Sequence, residues 1–341
     1  MIKTNDRERL ILKLVVEDFI DSVFPISSRT LCKNHDLGLS PATVRNVMMD
    51  LEEKGLLAQP HVSAGRIPTD SGYRLYVDDL MSVDPLSRSE RRNVLEKLKK
   101  VSLDIDQILE RASKILGEIS NQLGIVLLPR FYEGLFEKLE LVPINSSRTL
   151  LVVNIQSGLV KTIMLELDFE ISRDTLEATS RILNERLHGL LLSEIKDSID
   201  DRLKNVNQGH PNLIQYFQSS AEEVFDFEDW EDYYFGGTRN ILRQPEFTPV
   251  SQFDNLMELL ENKHNMIQFL EHTSTKRPLR ISIGRENDEP KMNSCSVVSS
   301  DYQIGNVRGV VGIIGPTRMD YGRMVSIVKY MSHAITNTVT N

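Results

Sequence analysis

Residues 37–50 read LGLSPATVRNVMMD, and this pattern predicts the turn and second helix of a helix-turn-helix. Gly38 suits a tight turn, where a residue without a Cβ is favoured. Ser40 is a good N-cap, because its hydroxyl can accept a hydrogen bond from an amide of the first helical turn. Pro41 then occupies the first helical position, where a missing N–H costs nothing. Apolar residues follow at helical spacing and should face the core: Val44, Val47, Met48 and Leu51.

The opposite face of this helix carries side chains that suit DNA. Arg45 and Asn46 can each make paired hydrogen bonds, the first with a guanine edge and the second with an adenine edge. Thr43 shares this face, and Ser40 lies at its start. Contact with phosphates and an ordinary solvated surface are the alternatives for Arg45 and Asn46. The sequence leaves the choice between bases and phosphates open.

The segments around this helix complete a familiar order of elements. Residues 5–22 alternate charged and apolar side chains and predict an amphipathic first helix. Ser27 should cap a short second helix over residues 28–36. Residues 56–60 and 66–68 predict the strands of a hairpin around a turn. Three helices followed by a hairpin are the order of a winged helix-turn-helix.

Further polar residues near this helix are candidate DNA contacts. Ser28 and Arg29 begin the second helix and are expected to contact phosphate rather than base. Arg66 follows the hairpin turn and could reach a phosphate or the minor groove. The complete predicted DNA-binding set is Ser28, Arg29, Ser40, Thr43, Arg45, Asn46 and Arg66.

Two long segments of the chain are specific enough to compare with known families. The first is LGLSPATVRNVMMDLEEKGLLAQPHVSAGRIPTDSGYRLYVDDLM, residues 37–81. The second is GVVGIIGPTRMDYGRMVSIVKYMS, residues 309–332. Both segments resemble the HrcA family of heat-inducible transcription repressors. Chain length and the order of segments agree with the family as well, so the resemblance covers nearly the whole chain. The middle of the chain is less specific.

The resemblance implies a function and several partners. It implies a homodimeric repressor of chaperone operons that binds an inverted-repeat operator on double-stranded DNA. It also implies release by heat and an active fold that depends on the chaperonin as a modulator. For the fold, it implies a GAF-like α+β domain that holds an inserted dimerisation domain. Residue spacing alone shows none of these points.

The spacing of apolar residues changes along the chain between helical and strand-like patterns. These changes divide the chain into segments and predict an α+β multidomain protein. Strand-like runs occur both before and after a helical stretch, as in one domain interrupted by an insertion. With the family's names, we expect a winged helix at 1–81, a helical linker at 82–123, a discontinuous GAF-like domain at 124–192 and 276–341, and a mostly helical inserted dimerisation domain at 193–275.

The linker has its own local signals. Ser87 and Glu90 have the spacing of a capping box at the start of a helix. Apolar residues from Val94 to Ile119 then fit a single seam with a period of about 3.5. Ser102 and Asp104 could divide this seam, and two helices are the favoured interpretation.

Composition sets limits on the function. The net charge is −9, and residues 1–81 hold ten basic and twelve acidic residues, so bulk charge does not predict DNA binding. A DNA-binding domain of this kind should depend on individually positioned contacts more than on a broadly basic surface. No apolar run approaches the roughly 18 residues of a membrane span. The N-terminus lacks an apolar signal core, so we expect a cytoplasmic protein without a membrane partner.

Residues for catalysis, metals and cofactors are sparse. The two cysteines and seven histidines show no metal-ligand spacing, and the glycines from Gly305 to Gly315 match no phosphate-loop pattern. Residues 222–237 alternate acids with aromatics, and we interpret them as an apolar contact surface with an acidic rim rather than as an active site. We therefore predict no enzyme, no cofactor and no metal. Two rivals remain: a metabolite-sensing repressor with an effector in the GAF-like domain, and an enzyme using Glu228, Asp229 and Glu231.

Overall fold

The first 81 residues fold into three helices, a hairpin and a fourth helix, and we call this unit the head. The computed structural model describes residues 2–62, 64–99, 105–204, 206, 209–224, 233–272 and 278–340. In the head, the elements are α1 (Asp6–Ser22), α2 (Ser28–Asn34), α3 (Pro41–Glu53), β1 (Leu57–Ala58), β2 (Ile67–Pro68) and α4 (Asp70–Leu75), which continues as a wider π turn over Tyr76–Leu80. The predicted order of three helices and a hairpin is confirmed.

Local capping explains where the head's helices begin and end. The Ser27 hydroxyl accepts a hydrogen bond from the Thr30 amide at 3.1 Å, and the Ser40 hydroxyl accepts one from the Thr43 amide at the same distance. Gly38 and Gly55 have φ angles of +60° and +71°, which glycine adopts without strain. These glycines turn the chain before and after α3, and the sequence predicted the turn at Gly38.

The rest of the chain, which we call the body, contains ten α-helices and eight strands among the described residues. The helices are α5 (Arg88–Lys99), α6 (Ile105–Ser120), α7 (Arg173–Leu187), α8 (Leu192–Leu203), α9 (Pro211–Ser219), α10 (Ala221–Val224), α11 (Thr238–Ile241), α12 (Val250–Glu261), α13 (Lys263–His272) and α14 (Tyr321–Thr340). The strands are β3 (Leu123–Leu127), β4 (Phe136–Pro143), β5 (Arg148–Ile155), β6 (Val160–Glu166), β7 (Tyr233–Gly236), β8 (Leu279–Ile283), β9 (Cys295–Ile304) and β10 (Val307–Pro316), of which β7 is short.

The body strands form two separate antiparallel sheets. One has the order β7-β3-β10-β9-β8, and the other has the order β4-β5-β6. The sequence placed all the strands except β7 in one discontinuous domain and did not predict that they divide between two sheets. It also missed β7, which lies within 193–275 and pairs with β3 through Gly236 and Gly124. Such pairings join distant segments, so no local pattern reports them.

The five-stranded sheet is covered on both faces. Leu123, Ile125 and Leu127 of β3 pack with α12 and α13, whereas Val126 packs with α6 and α14 on the other side. All five residues of β3 are buried, as expected for a strand between two helical layers. The helices of the range predicted as an insertion therefore contribute directly to the covering of this sheet.

The linker lies along α14. The Ser326 hydroxyl donates a hydrogen bond to the Asp84 carbonyl at 2.6 Å. The predicted capping box at Ser87 and Glu90 is present in both directions. Two helices, α5 and α6, follow as favoured, while the predicted break at Ser102 and Asp104 lies outside the described residues.

Two further predictions concern an acidic active site and a membrane-spanning helix. The acidic residues Glu228, Asp229 and Glu231 lie outside the described residues, so the structure does not bear on their role. Within the described residues, no helix combines the length and the apolar character needed to cross a bilayer.

Candidate nucleic-acid interface

Helix α3 presents a polar face outward and buries an apolar face. Val44 and Leu51 are fully buried, and Val47 and Met48 are nearly so, which confirms the predicted inward set. Arg45 and Asn46 are exposed on the other side. Because successive residues of a helix differ by about 100° around its axis, these two neighbours flank one outward ridge.

A groove brings several predicted side chains together. The start of α2, the middle of α3 and the hairpin enclose a groove with a volume of about 280 Å³. Of the predicted DNA-binding residues, this groove is lined by Ser28, Arg29, Arg45 and Arg66. Among the described residues that line it, three are arginines and none is acidic. The arrangement can bind an extended anion between a helix and a hairpin.

Arg66 is held differently from the other two arginines. Its guanidinium forms an ion pair with Glu52 at 2.7 Å, and its side chain is only 16% exposed. Its main-chain N–H and carbonyl form hydrogen bonds with Ile26 at 2.8 and 2.9 Å. Arg66 therefore joins the hairpin to α3 and to the segment before α2, and its charge is already partly neutralised by Glu52.

Ser40 and Thr43 use their hydroxyls within the helix start. The Ser40 hydroxyl lies 2.9 Å from the Thr43 hydroxyl in addition to accepting from the Thr43 amide. These contacts place both side chains in the N-terminal cap of α3. Asn46 and Arg45 are the members of the predicted set that project from the exposed face of this helix.

The far end of α3 is held by a charged pair. Lys54, the C-cap of α3, lies 2.6 Å from the carboxylate of Glu8 in α1. The hydrogen bond from Lys54 holds the pKa of the Glu8 carboxyl below its ordinary value, against the opposite effect of burial. This pair fixes α3 against α1 at neutral pH, so the exposed ridge has a defined direction.

Sequence reasoning missed the role of Gln59. Its side-chain amide donates hydrogen bonds to the carbonyls of Val62 and Ala64, both at 3.0 Å, and so braces the hairpin tip. Val62 at this tip is fully exposed. An amide side chain directly before Pro60 and a turn was the available signal. Ser63, also in the tip, lies outside the described residues.

Acidic side chains of the head gather elsewhere. Glu17, Asp18 and Asp21 of α1 line a different groove, next to the linker and the start of α14. The Asp18 carboxylate lies 2.7 Å from a ring nitrogen of His35. Charge is thus segregated within the head, which explains how a unit with a small net negative charge has an arginine-lined surface.

In the part of the chain that the structure describes, no group of three or more His, Cys, Asp or Glu side chains could hold a metal ion. Gly305 forms the turn between β9 and β10 with a φ of +58°, and Gly309 lies within β10. The glycine series therefore belongs to a hairpin and a strand.

Comparison with solved structures supports the overall fold. The chain is similar over 99% of its length to a crystal structure of a hypothetical protein at 2.2 Å resolution, with a TM-score of 0.62 and 23% sequence identity. The match also covers 99% of that chain. At this identity, the likeness concerns the fold alone.

Sequence comparisons identify the family. Residues 106–325 match the family model described as the HrcA protein C terminal domain. The chain is 40% identical to the heat-inducible transcription repressor HrcA of Chlorobium phaeobacteroides (strain BS1), over 98% of each chain. It is 39% identical to the repressor of the same name from Prosthecochloris aestuarii, over 100% of this chain and 99% of that one. The chain therefore belongs to the HrcA family of heat-inducible transcription repressors.

Proposed function

We propose that this protein is a cytoplasmic, homodimeric repressor that binds an inverted-repeat operator of chaperone operons through its heads. The observation that carries the proposal is the exposed pair Arg45 and Asn46 on α3, beside a groove lined by arginines. In this proposal the head is a winged helix, and α3 enters the major groove of each half-site.

The groove suggests how contacts divide between bases and backbone. Arg45 and Asn46 have the donor and acceptor patterns needed to recognise base edges. Ser28 and Arg29 lie at the start of α2 and would contact the phosphates beside the groove. Arg66 would contribute through the hairpin, with its guanidinium partly neutralised by Glu52. Ser40 and Thr43 would hold the start of α3 in register with the DNA.

Two heads are needed for an inverted repeat. A two-fold dimer presents the same surface twice, and the contacts with the two half-sites then add. We propose the dimer contact in residues 193–275 and a GAF-like domain formed by 124–192 and 276–341. The pairing of β7 with β3 supports a rigid connection between these two parts.

The test of DNA binding is a gel shift at physiological salt. The probe is the duplex that the full chain selects from a random-sequence pool, compared with a scrambled duplex of the same composition. We expect at least about a thousandfold tighter binding to the selected duplex, two chains per duplex, and inverted symmetry in its sequence. Equal affinity for both duplexes would refute the proposal.

Release by heat requires a second property. If the conformer that binds DNA is only marginally stable, warming or loss of chaperonin assistance lowers its population. We expect operator affinity to fall across the heat-shock range and to recover with chaperonin after a denaturing cycle. Full affinity throughout that range, without chaperonin and after the cycle, would contradict this part of the proposal.

A further inference from the structure

Two side chains on one face of α4 fasten the head to the body. Asp70 and Arg74 are four residues apart, so both point toward the same neighbour. That neighbour is the turn of residues 284–286, which directly follows β8. The guanidinium of Arg74 donates to both carboxylate oxygens of Glu286, with an Nε–Oε1 distance of 2.8 Å, and to the Ile281 carbonyl at 2.7 Å.

The receiving turn is shaped for these contacts. The Arg285 amide donates a hydrogen bond to the Asp70 carboxylate at 3.0 Å. Gly284 has a φ of +53°, and a Cβ at this position would lie 2.5 Å from both Asp70 oxygens. The Glu286 carboxylate accepts a further hydrogen bond from the Ile283 amide at 2.9 Å. The body therefore orients Glu286 by its own backbone, and Arg74 meets a carboxylate already in place.

A second set of contacts lies on another side of the head. Arg318 donates to the Ile20 carbonyl in the last turn of α1 at 2.8 Å, and Glu246 holds the same guanidinium at 2.6 Å. Between the two sets, the buried rings of Tyr73 and Tyr321 pack with their centroids 5.8 Å apart. Because the head is held at α1 and at α4, a rotation of the head would break at least one set.

The chemistry of the Arg74 pair favours orientation over stability. A two-pronged guanidinium–carboxylate contact adds geometric specificity, because its two parallel hydrogen bonds require the planar groups to be aligned. Both side chains are about one-third exposed, at 30% and 35%, and pairs this exposed add little to the free energy of unfolding. The Arg74–Glu286 pair is therefore suited to fixing an angle.

We propose that Arg74, acting through Glu286, is a positioning residue that fixes the angle of each head on the body and thereby selects the spacing between operator half-sites. This inference rests on the proposed function. Each added base pair rotates one half-site relative to the other, with about 10–10.5 base pairs per turn. Two rigidly held heads accept one spacing, and two loosened heads accept several.

The experiment uses full-length chains and the duplex selected from the random pool. Its spacer is lengthened and shortened in single steps up to about five base pairs, which is half a helical turn. A duplex with a single half-site measures contacts that do not depend on spacing. The variants are Arg74→Ala, Glu286→Gln and the two combined. The matched control is Arg148→Ala, which breaks an Arg148–Glu166 pair of 2.9 Å between two strands of the body.

We expect the unchanged chain and Arg148→Ala to lose at least about tenfold in affinity at the least favourable spacing, since that arrangement forfeits one half-site. Arg74→Ala and Glu286→Gln should reduce this discrimination to about threefold or less, with single half-site affinity unchanged. The combined variant should be no broader than Arg74→Ala, because residues that act as one unit are not additive.

Several results would overturn the proposal. One is a spacing profile that Arg74→Ala and Glu286→Gln leave unchanged. Another is an equal loss on the single half-site, which would mean damage to the head itself. A gain in affinity at the best spacing would mean that the docked head restrains binding instead of positioning it. If Arg74→Ala does not fold, Glu286→Gln decides, because it retains the size of the side chain. A failure of the proposed function is separate, since the unchanged chain would then not prefer its selected duplex to the scrambled one.

Discussion

Arg45 is held outward by the packing of α3 within the head. It is exposed on α3, beside a groove that also contains Arg29. Its outward direction follows from the burial of Val44 and Val47 on the opposite face. A single residue therefore tests whether this surface recognises bases.

Arg45→Ala should weaken binding to the selected duplex by about 1–3 kcal/mol if the guanidinium contacts a base. Binding to random DNA should change much less, and specificity should relax at one position in each half-site. The measurement is a pair of binding curves at a fixed salt concentration. Arg173→Ala is the control, because Arg173 is an exposed arginine of α7 in the body. An equal loss on both duplexes would assign Arg45 to a phosphate.

At this scale, the sequence predicted some residues well and others not at all. The exposure of Arg45 and Asn46 followed from helical periodicity, which is a local property. The Glu52 partner of Arg66 was not predictable, because it requires the distance between α3 and the hairpin. The contacts of Arg74 with Glu286 join residues 212 positions apart, so they also appear only in the folded chain.

Helix α3 is the element whose start was most clearly encoded. Ser40, Pro41 and Thr43 lie within four residues, and the Ser40 hydroxyl accepts a hydrogen bond from the Thr43 backbone amide. The structure places the hydroxyls of Ser40 and Thr43 in the helix cap, where they satisfy groups of the protein itself. We therefore expect Ser40 to support DNA binding through the helix rather than by direct contact.

Ser40→Ala should lower the free energy of unfolding by about 0.5–2 kcal/mol, because an amide of the first turn loses its partner. Chemical unfolding of the full chain measures this change. Ser40→Asp retains a capping oxygen and should restore most of the stability. Ser172→Ala removes the equivalent cap of α7 and should lower stability without affecting DNA binding. A loss of DNA affinity in Ser40→Ala without a loss of stability would show a direct contact.

Strands were predicted better than sheets. The ranges of β4, β5 and β6 agree with aliphatic runs in the sequence, and a turn at Gly158 joins β5 to β6. Which strands share a sheet depends on pairings such as Ile125 with Phe235, more than a hundred residues apart. Burial on both faces also hides the alternating pattern in β3.

At the scale of the whole molecule, the head is attached to the body partly through the turn after β8. A Cβ on Gly284, in the turn after β8, would lie 2.5 Å from both carboxylate oxygens of Asp70. Adding a methyl group there has two effects, one on the backbone and one on the fit between the two parts.

Gly284→Ala should separate these effects when compared with Gly158→Ala. Gly158 has a φ of +83° but open space around its Cβ position, so its substitution costs about 1–2 kcal/mol from backbone strain alone. Gly284→Ala adds a clash with the Asp70 carboxylate, so the head should loosen. Limited proteolysis should then cut faster within residues 82–88, and hydrogen exchange should rise in α4. Equal behaviour of the two variants would show that the fit at Gly284 does not hold the head.

The short strand β7 has a consequence for protein engineering. It comes from the middle of the helical range 193–275, and it covers the outer edge of β3. A version of the chain trimmed between residues 192 and 276 would leave the backbone of Leu123–Leu127 as a bare, apolar edge. Uncovered edges of this kind recruit strands from other molecules and lead to aggregation. A soluble miniature of this protein therefore has to keep Tyr233–Gly236 or supply a substitute for it.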